Sequence, residues 1–282
     1  MKELILQERV VHQGRSFKGH DARIDFEPNP ARNGWIWVVG GHEVPITPDT
    51  MESRQRRVAL VYQGNVLEEF EHIGILRAAG IQHVRLWSPA GTSWPPYDGC
   101  SFALWNAVMQ HVHEGNTLTP YRVPCGHVAH QLPKDIRRSV SYTGNGNDHD
   151  VLRMTGLINF ARLDENDYRF GHVYPRDDLR TLMRARTLGW PPSLWYVSRL
   201  ASKFGWPHHK NIVWPQEMLP SEMLEETGRH RLLDMLAVFN FVAPAGTYLA
   251  GSLHSCMGNH ATDLGVLKKL WTVQKVRLKE AA

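Results

Sequence analysis

Residues 228–241 read GRHRLLDMLAVFNF, and their apolar side chains recur at the spacing of a helix. Leu232 and Leu236 mark the side of this predicted helix that is buried. His230 and Asp234 lie four residues apart, so a helix places both side chains on one face. An imidazole and a carboxylate therefore stand together at the edge of a mostly apolar helix.

Two explanations fit this pair. A histidine and an aspartate one turn apart can form a helical charge pair, which is common and stabilises a helix by only about 0.3 kcal/mol. The same pair can also bind one metal ion. The second explanation requires a third ligand, a base that activates water and a pocket, all supplied by other parts of the chain.

Size and charge limit the classes of partner. The chain has 282 residues, enough for one large domain or two of moderate size. Its net charge is +4 and its pI is about 9.0, without any block of lysine and arginine. We find no basic stripe with interleaved aromatic residues and no nucleic-acid motif. The predicted partner is therefore an anionic small molecule and not a nucleic acid, and the oligomeric state stays open.

The cysteines and the hydropathy predict the compartment. Cys100, Cys125 and Cys256 form no CxxC pair, and a sparse, odd count argues against a disulfide framework. The first residues, MKELILQERVV, are too charged and their apolar run is too short for a signal peptide. No apolar stretch reaches the length needed to span a bilayer. We expect a soluble, cytoplasmic protein.

In the first half of the chain, apolar and polar residues alternate as in strands, and two predicted helices follow. Strands are predicted at residues 3–14, 22–28, 34–41, 56–65 and 83–87, with helices at 66–80 and 100–115. Gly80 and Gly115 are the predicted helix stops.

The second half repeats this order. Strands are predicted at 121–131, 137–143, 152–163, 168–173, 210–214 and 247–254, and helices at 176–186, 193–205, 220–241 and 259–277. Strands followed by helices, twice over, predict an α+β fold with two domains, residues 1–116 and 117–282, joined near residues 115–120.

Two further histidines lie near the starts of predicted helices. Glu71 and His72 lie near the start of a predicted helix, and His260 begins another. Taken alone, Glu71 and His72 are more often part of a solvated helix face than of a site, whereas a histidine at a helix start such as His260 can point into a cleft. His111 and His113 are two apart on a predicted helix, hence on different faces, and do not form a pair. No GxSxG motif signals a serine nucleophile.

Five stretches, in order, resemble one known family. They are EFEHIGILRAAGIQHVRL (69–86), PPYDGCSFAL (95–104), RARTLGW (184–190), RHRLLDML (229–236) and MGNHATDLGVLKKL (257–270). Each motif is weak alone, but the ordered set is similar to that of the zinc-dependent UDP-3-O-acyl-N-acetylglucosamine deacetylases of lipid A biosynthesis, over nearly the whole chain.

The resemblance implies a fold and a set of roles. The family has two α+β domains of similar topology, with the active site at the interface between them. By resemblance, His72, His230 and Asp234 bind Zn²⁺, with Fe²⁺ as the alternative metal, Glu71 is the general base, Thr187 lies near the oxyanion, and His260 is the acidic or cationic partner.

The resemblance also suggests substrate contacts. Arg231 stands where the family has a lysine that meets the substrate's diphosphate, and an arginine can make such contacts. Asp98, in the second matched stretch, and Trp206, in the segment aligned with the lining of the acyl passage, complete the candidate substrate-binding residues.

Departures from the family pattern affect both the histidine and the substrate. Val238 replaces an aspartate that orients the catalytic histidine, and Asp263 or Asn240 is the candidate substitute. The bulky segment GWPHHKN (205–211) replaces a glycine-rich turn that lines the acyl passage. We therefore expect the metal centre to be kept and the substrate envelope to be altered.

These observations predict a metal-dependent amide hydrolase that removes an N-acetyl group from a nucleotide-linked amino sugar. Three alternatives remain: the lipid A deacetylase itself with drifted motifs, a deacetylase of another N-acetylated small molecule, and a binding protein on the same fold without turnover. The presence of Glu71 speaks against the last, because a pure binder needs no base.

Overall fold

The computed structural model is an α+β protein in which several sheets pack against helices, which confirms the predicted fold class. The structure describes residues 1–16, 19–54, 57–96, 100–133, 135–144, 150–158, 168–186, 200 and 220–280.

The elements of the described chain run as follows. The strands are β1 (Lys2–Leu6), β2 (Val10–Arg15), β3 (Asp21–Pro28), β4 (Trp35–Val39), β5 (His42–Pro45), β6 (Met51–Arg54), β7 (Arg57–Tyr62), β8 (Asn65–Leu67), β9 (Val84–Trp87), β10 (Thr92–Ser93), β11 (Val112–Thr117), β12 (Thr119–Tyr121), β13 (His127–Leu132), β14 (Asp135–Thr143), β15 (Leu152–Ile158), β16 (Tyr168–Tyr174), β17 (Thr247–Leu249) and β18 (Gly251–Cys256). The helices are α1 (Glu71–Ala78), α2 (Phe102–Met109), α3 (Leu179–Met183), α4 (Pro220–Phe239) and α5 (His260–Glu280).

Two five-stranded sheets have the same topology. The strand order is β2-β3-β9-β4-β5 in the first half and β13-β14-β18-β15-β16 in the second. In each sheet the central strand, β9 or β18, pairs antiparallel on one side and parallel on the other. Both halves of the chain thus follow one scheme, as expected from the repeated order of strands and helices.

The described chain also forms smaller sheets. The first half adds a four-stranded sheet, β10-β8-β7-β6. Around the predicted domain boundary, β11 pairs with β1 of the first half, whereas β12 pairs with β17 of the second. The division at residues 116 and 117 itself stays a prediction.

Helices α1 and α4 carry most of the candidate site and pack directly against each other. A Cβ atom at Gly74 would lie 2.8 Å from the carbonyl oxygen of Ala237, so the close approach depends on glycine. Farther along α1, the buried Arg77 donates hydrogen bonds to the carbonyl oxygens of Asn240 (3.1 Å) and Ala243 (2.8 Å). These bonds fix α1 against the chain that leaves α4.

The helix that carries Glu71 begins later than predicted. Residues 65–67 form strand β8, and α1 starts at Glu71 instead of Val66. Its predicted stop is confirmed: the helix ends at Ala78, and Gly80 follows with a φ of +113°, a backbone conformation that favours glycine.

The predicted helix at residues 100–115 is wrong in its second half. Helix α2 ends at Met109, and residues 112–117 form β11, which pairs with the N-terminal strand. His113 therefore lies on a strand opposite Ile5. A partner more than one hundred residues away overrides the local helical pattern here.

Four other predictions change or fall outside the described residues. The helix at 176–186 shrinks to Leu179–Met183, and the strand at 247–254 divides into β17 and β18. The predicted helix at 193–205, apart from residue 200, and the strand at 210–214 lie outside the described residues.

Candidate active site

Helix α1 places Glu71 and His72 in its first turn, as predicted. The Oε2 atom of Glu71 accepts a hydrogen bond of 2.9 Å from the backbone N–H of Val58, which fixes the carboxyl group. Burial raises the pKa of Glu71 well above its usual value, and the negative charge of Asp234 raises it further. Such a carboxyl group is suited to accept and release a proton near neutral pH.

Helix α4 brings His230 and Asp234 to the same point. The rings of His72 and His230 lie 5.5 Å apart, and His230 Nε2 is 3.7 Å from Asp234 Oδ1. Burial, followed by the neighbouring His230, His260 and Arg57, lowers the pKa of His72 well below its usual value. His72 is thus kept neutral, the form in which imidazole binds a metal.

Helix α5 contributes His260, its first residue. His260 Nε2 lies 3.7 Å from Asp234 Oδ2 and 3.9 Å from Glu71 Oε1. Burial lowers the pKa of His260, although Asp234 and Asp263 oppose the shift. Asn259 explains why the helix starts here: its side chain accepts a hydrogen bond from the backbone N–H of Thr262 (3.1 Å), as a capping residue does.

The five residues predicted to act together are therefore neighbours. They come from the starts of two helices and from the middle of a third, and all five side chains are largely shielded from solvent: Glu71, His72, His230, Asp234 and His260. The roles assigned to them stay predictions.

The donor set fits a divalent metal. His230 Nδ1 donates to the carbonyl oxygen of Ala185 (3.4 Å), and His72 Nδ1 shares a 3.2 Å hydrogen bond with Ser101, a pattern typical of metal-binding histidines. Asp234 Oδ1 is buried and has no hydrogen-bond partner among the described residues. Its 3.7 Å separation from His230 Nε2 is close to the ~3.4 Å between two ligand atoms on one tetrahedral zinc ion.

The full ligand geometry is not preformed. Across the described ranges, no group of three His, Cys, Asp or Glu side chains meets the distances of a metal site. The chemistry of the donors and the Asp234 oxygen without a hydrogen-bond partner support a metal at this position. Small side-chain movements would be needed to place a third ligand within bonding distance of the metal.

The packing of α1 against α4 sets the distance between the candidate ligands. We expect Gly74→Ala to push the helices apart and to destabilise the protein by about 1–3 kcal/mol, although alanine favours a helix. Metal affinity should fall as well, because His72 and Asp234 lie on different helices. Gly126→Ala is the matched control, since a Cβ there meets no atom within 4 Å. Urea unfolding and metal titration of both variants measure the two effects, and equal stabilities would refute the role of the crossing.

Arg231 forms a buried ion pair. The guanidinium is buried and forms two contacts with the carboxylate of Asp263, one of them 2.5 Å between Nη1 and Oδ2, and it also reaches the hydroxyl of Ser255. Burial alone would lower the pKa of Arg231, but Asp263 reverses the shift and raises it. The predicted contact of Arg231 with a substrate phosphate stays a prediction.

Three other predicted site residues, Thr187, Trp206 and Asp98, lie outside the described residues. Their roles stay predictions.

Sequence analysis missed a cavity of about 200 Å³ beside His72. Apolar side chains, including Pro96 and Leu104, form one part of its lining, and His12 and Arg15 from β2 add polar groups. His12 and Arg15 carry no motif of their own, so only the fold identifies them as neighbours of the site.

Histidines, an aspartate and an adjacent glutamate are the side chains from which metal-dependent hydrolases build their sites. A model of the UDP-3-O-acyl N-acetylglycosamine deacetylase (LpxC) family matches residues 5–272 of the chain. The chain belongs to this family. Among curated proteins, no match was found.

None of the helices within the described ranges is long and apolar enough to cross a membrane.

Proposed function

We propose that the protein is a metal-dependent deacetylase that hydrolyses the N-acetyl group of a nucleotide-linked amino sugar. The observation that carries this proposal is the meeting of Glu71, His72, His230, Asp234 and His260 within the chain of a deacetylase family member. A cytoplasmic location remains a prediction.

Each side chain has its own role in the proposed reaction. His72, His230 and Asp234 would hold the divalent metal, which when bound polarises the amide carbonyl and acidifies water. Glu71 takes the proton of the attacking water and passes it to the leaving amine. Its raised pKa, caused by burial and by Asp234, supports this dual use. His260, with both ring nitrogens protonated, donates a hydrogen bond from Nε2 to the oxyanion that forms on the acetyl carbonyl.

One assay tests the proposal. The purified protein, supplied with Zn²⁺ or Fe²⁺, is incubated with UDP-N-acetylglucosamine and with its 3-O-acylated form, and free amine is measured. Release of amine that stops on addition of a chelator supports the proposal. If neither substrate nor a panel of other N-acetylated sugars is deacetylated, the function is wrong.

The acyl chain of the substrate is the finer question. We expect little preference for a 3-O-myristoyl group, because Trp206, His208, His209, Lys210 and Trp214 replace a glycine-rich lining with bulk and polarity. These residues lie outside the described part of the chain, so the expectation comes from sequence alone. An open passage would be worth about 0.8 kcal/mol for each buried methylene.

The ratio of kcat/KM for the acylated and unacylated substrates measures this preference. A ratio of about a hundred or more, equivalent to ~2.7 kcal/mol, would show that the passage is open and that the standard lipid A precursor is the substrate.

A further inference from the structure

His260 lies between two sets of carboxylates. Its Nε2 atom faces Asp234 and Glu71, whereas Nδ1 points the other way and lies 3.9 Å from Asp263 Oδ2. Nδ1 is buried, and no group within the described ranges makes a hydrogen bond to it. A buried ring nitrogen without a hydrogen-bond partner destabilises the folded protein, so we expect an acceptor on the Nδ1 side of the ring.

Asp263 is held in place for that task. It follows His260 by three residues on α5, so the two side chains share one face of the first turn. Its side chain is fully buried, and both carboxylate oxygens contact Arg231. A carboxylate that contacts an arginine through both of its oxygens has a fixed orientation.

The other candidate acceptors are excluded. Val238, which replaces the family's aspartate, is apolar and fully buried. The amide of Asn240 is used locally: its Nδ2 donates to the carbonyl oxygen of Leu236 (3.0 Å) and its Oδ1 accepts from the backbone N–H of Leu249 (3.2 Å). Asp263 remains.

We infer that Asp263, clamped by Arg231, is a positioning residue that accepts the Nδ1–H of His260 and directs Nε2 toward Glu71 and Asp234. The 3.9 Å separation must shorten by about 1 Å to form this bond, and hydrogen bonds at catalytic sites often tighten only in the substrate complex. Arg231 thus serves the histidine through Asp263. The kinetic side of this inference rests on the proposed deacetylase function.

The ring proton gives a test that needs no substrate. In protein labelled with ¹⁵N-histidine and loaded with Zn²⁺, the His260 resonances are identified by their loss in His260→Gln. We expect Nδ1 to carry a proton in the native protein. A native His260 with an unprotonated Nδ1 would overturn the inference.

A double substitution tests the effect on rate. Removing Asp263 alone would leave Arg231 buried without its partner, which can prevent folding. Arg231→Met with Asp263→Leu replaces the whole ion pair by apolar side chains, a change that buried pairs often tolerate. We expect kcat to fall by about 10- to 100-fold with little change in KM, because Asp263 acts through His260.

The control removes another ion pair whose carboxylate is buried. Glu3 is nearly as shielded as Asp263 and contacts the half-exposed Arg32 through both oxygens. Glu3→Leu with Arg32→Met should therefore leave kcat unchanged. A native kcat in the Arg231/Asp263 variant, or an equal loss in the control, would overturn the inference while leaving the deacetylase function intact. An inactive native protein would instead refute the proposed function, and the NMR result would still decide the role of Asp263.

Discussion

Glu71→Gln is expected to lower the deacetylation rate by roughly two to four orders of magnitude, the loss typical of a missing general base. The amide keeps the shape of the side chain and can still receive the hydrogen bond from Val58. It cannot take a proton from water. Folding should not suffer, because the substitution removes a buried carboxyl group that the charge of Asp234 disfavours in its ionised form.

Single-turnover rates and metal content of this variant separate the role of base from that of ligand. The metal should remain bound, since the candidate ligands are unchanged. Glu68→Gln, which removes another buried carboxyl group three residues earlier, is the control. A Glu71→Gln protein with a near-native rate would move the base to another residue.

His230→Ala should bind almost no metal, against about one ion per chain in the native protein. The substitution removes one of the two candidate ligands on α4, the imidazole whose Nε2 lies 3.7 Å from Asp234 Oδ1. Elemental analysis after dialysis measures the occupancy, and activity should disappear with the metal.

His254→Ala controls for the loss of an imidazole as such. His254 lies on β18, is exposed and bonds to the hydroxyl of Thr155 (2.8 Å), away from the candidate site. This variant should retain its metal. Full occupancy in His230→Ala would refute the ligand assignment.

The sequence predicts those parts of the site that depend on local spacing. His230 and Asp234 share a face because a helix has a fixed period, and the glycine after α1 marks its end. The repeated order of strands and helices likewise anticipates two sheets of one topology. These features require only neighbours in the chain.

Features that depend on distant partners are not predictable in this way. Arg231 and Asp263 lie 32 residues apart and on different helices, so their pairing emerges only when α4 meets α5. For the same reason the residues around His113 form a strand instead of the predicted helix, because pairing with β1 decides their conformation. The cavity beside His72 also depends on how separate elements meet.

The shared strand order has a consequence for how the protein is made. In each five-stranded sheet the strand synthesised last stands in the middle, with β9 between β3 and β4 and β18 between β14 and β15. In each sheet, two hairpins therefore cannot be joined until the central strand, which follows a helix in the chain, has been synthesised. In the second half of the chain, the sheet cannot be completed before residues 251–256 have been synthesised. Pairing across such long loops is slow, so we expect α4, with its histidine and aspartate, to pack into place in the last steps of folding.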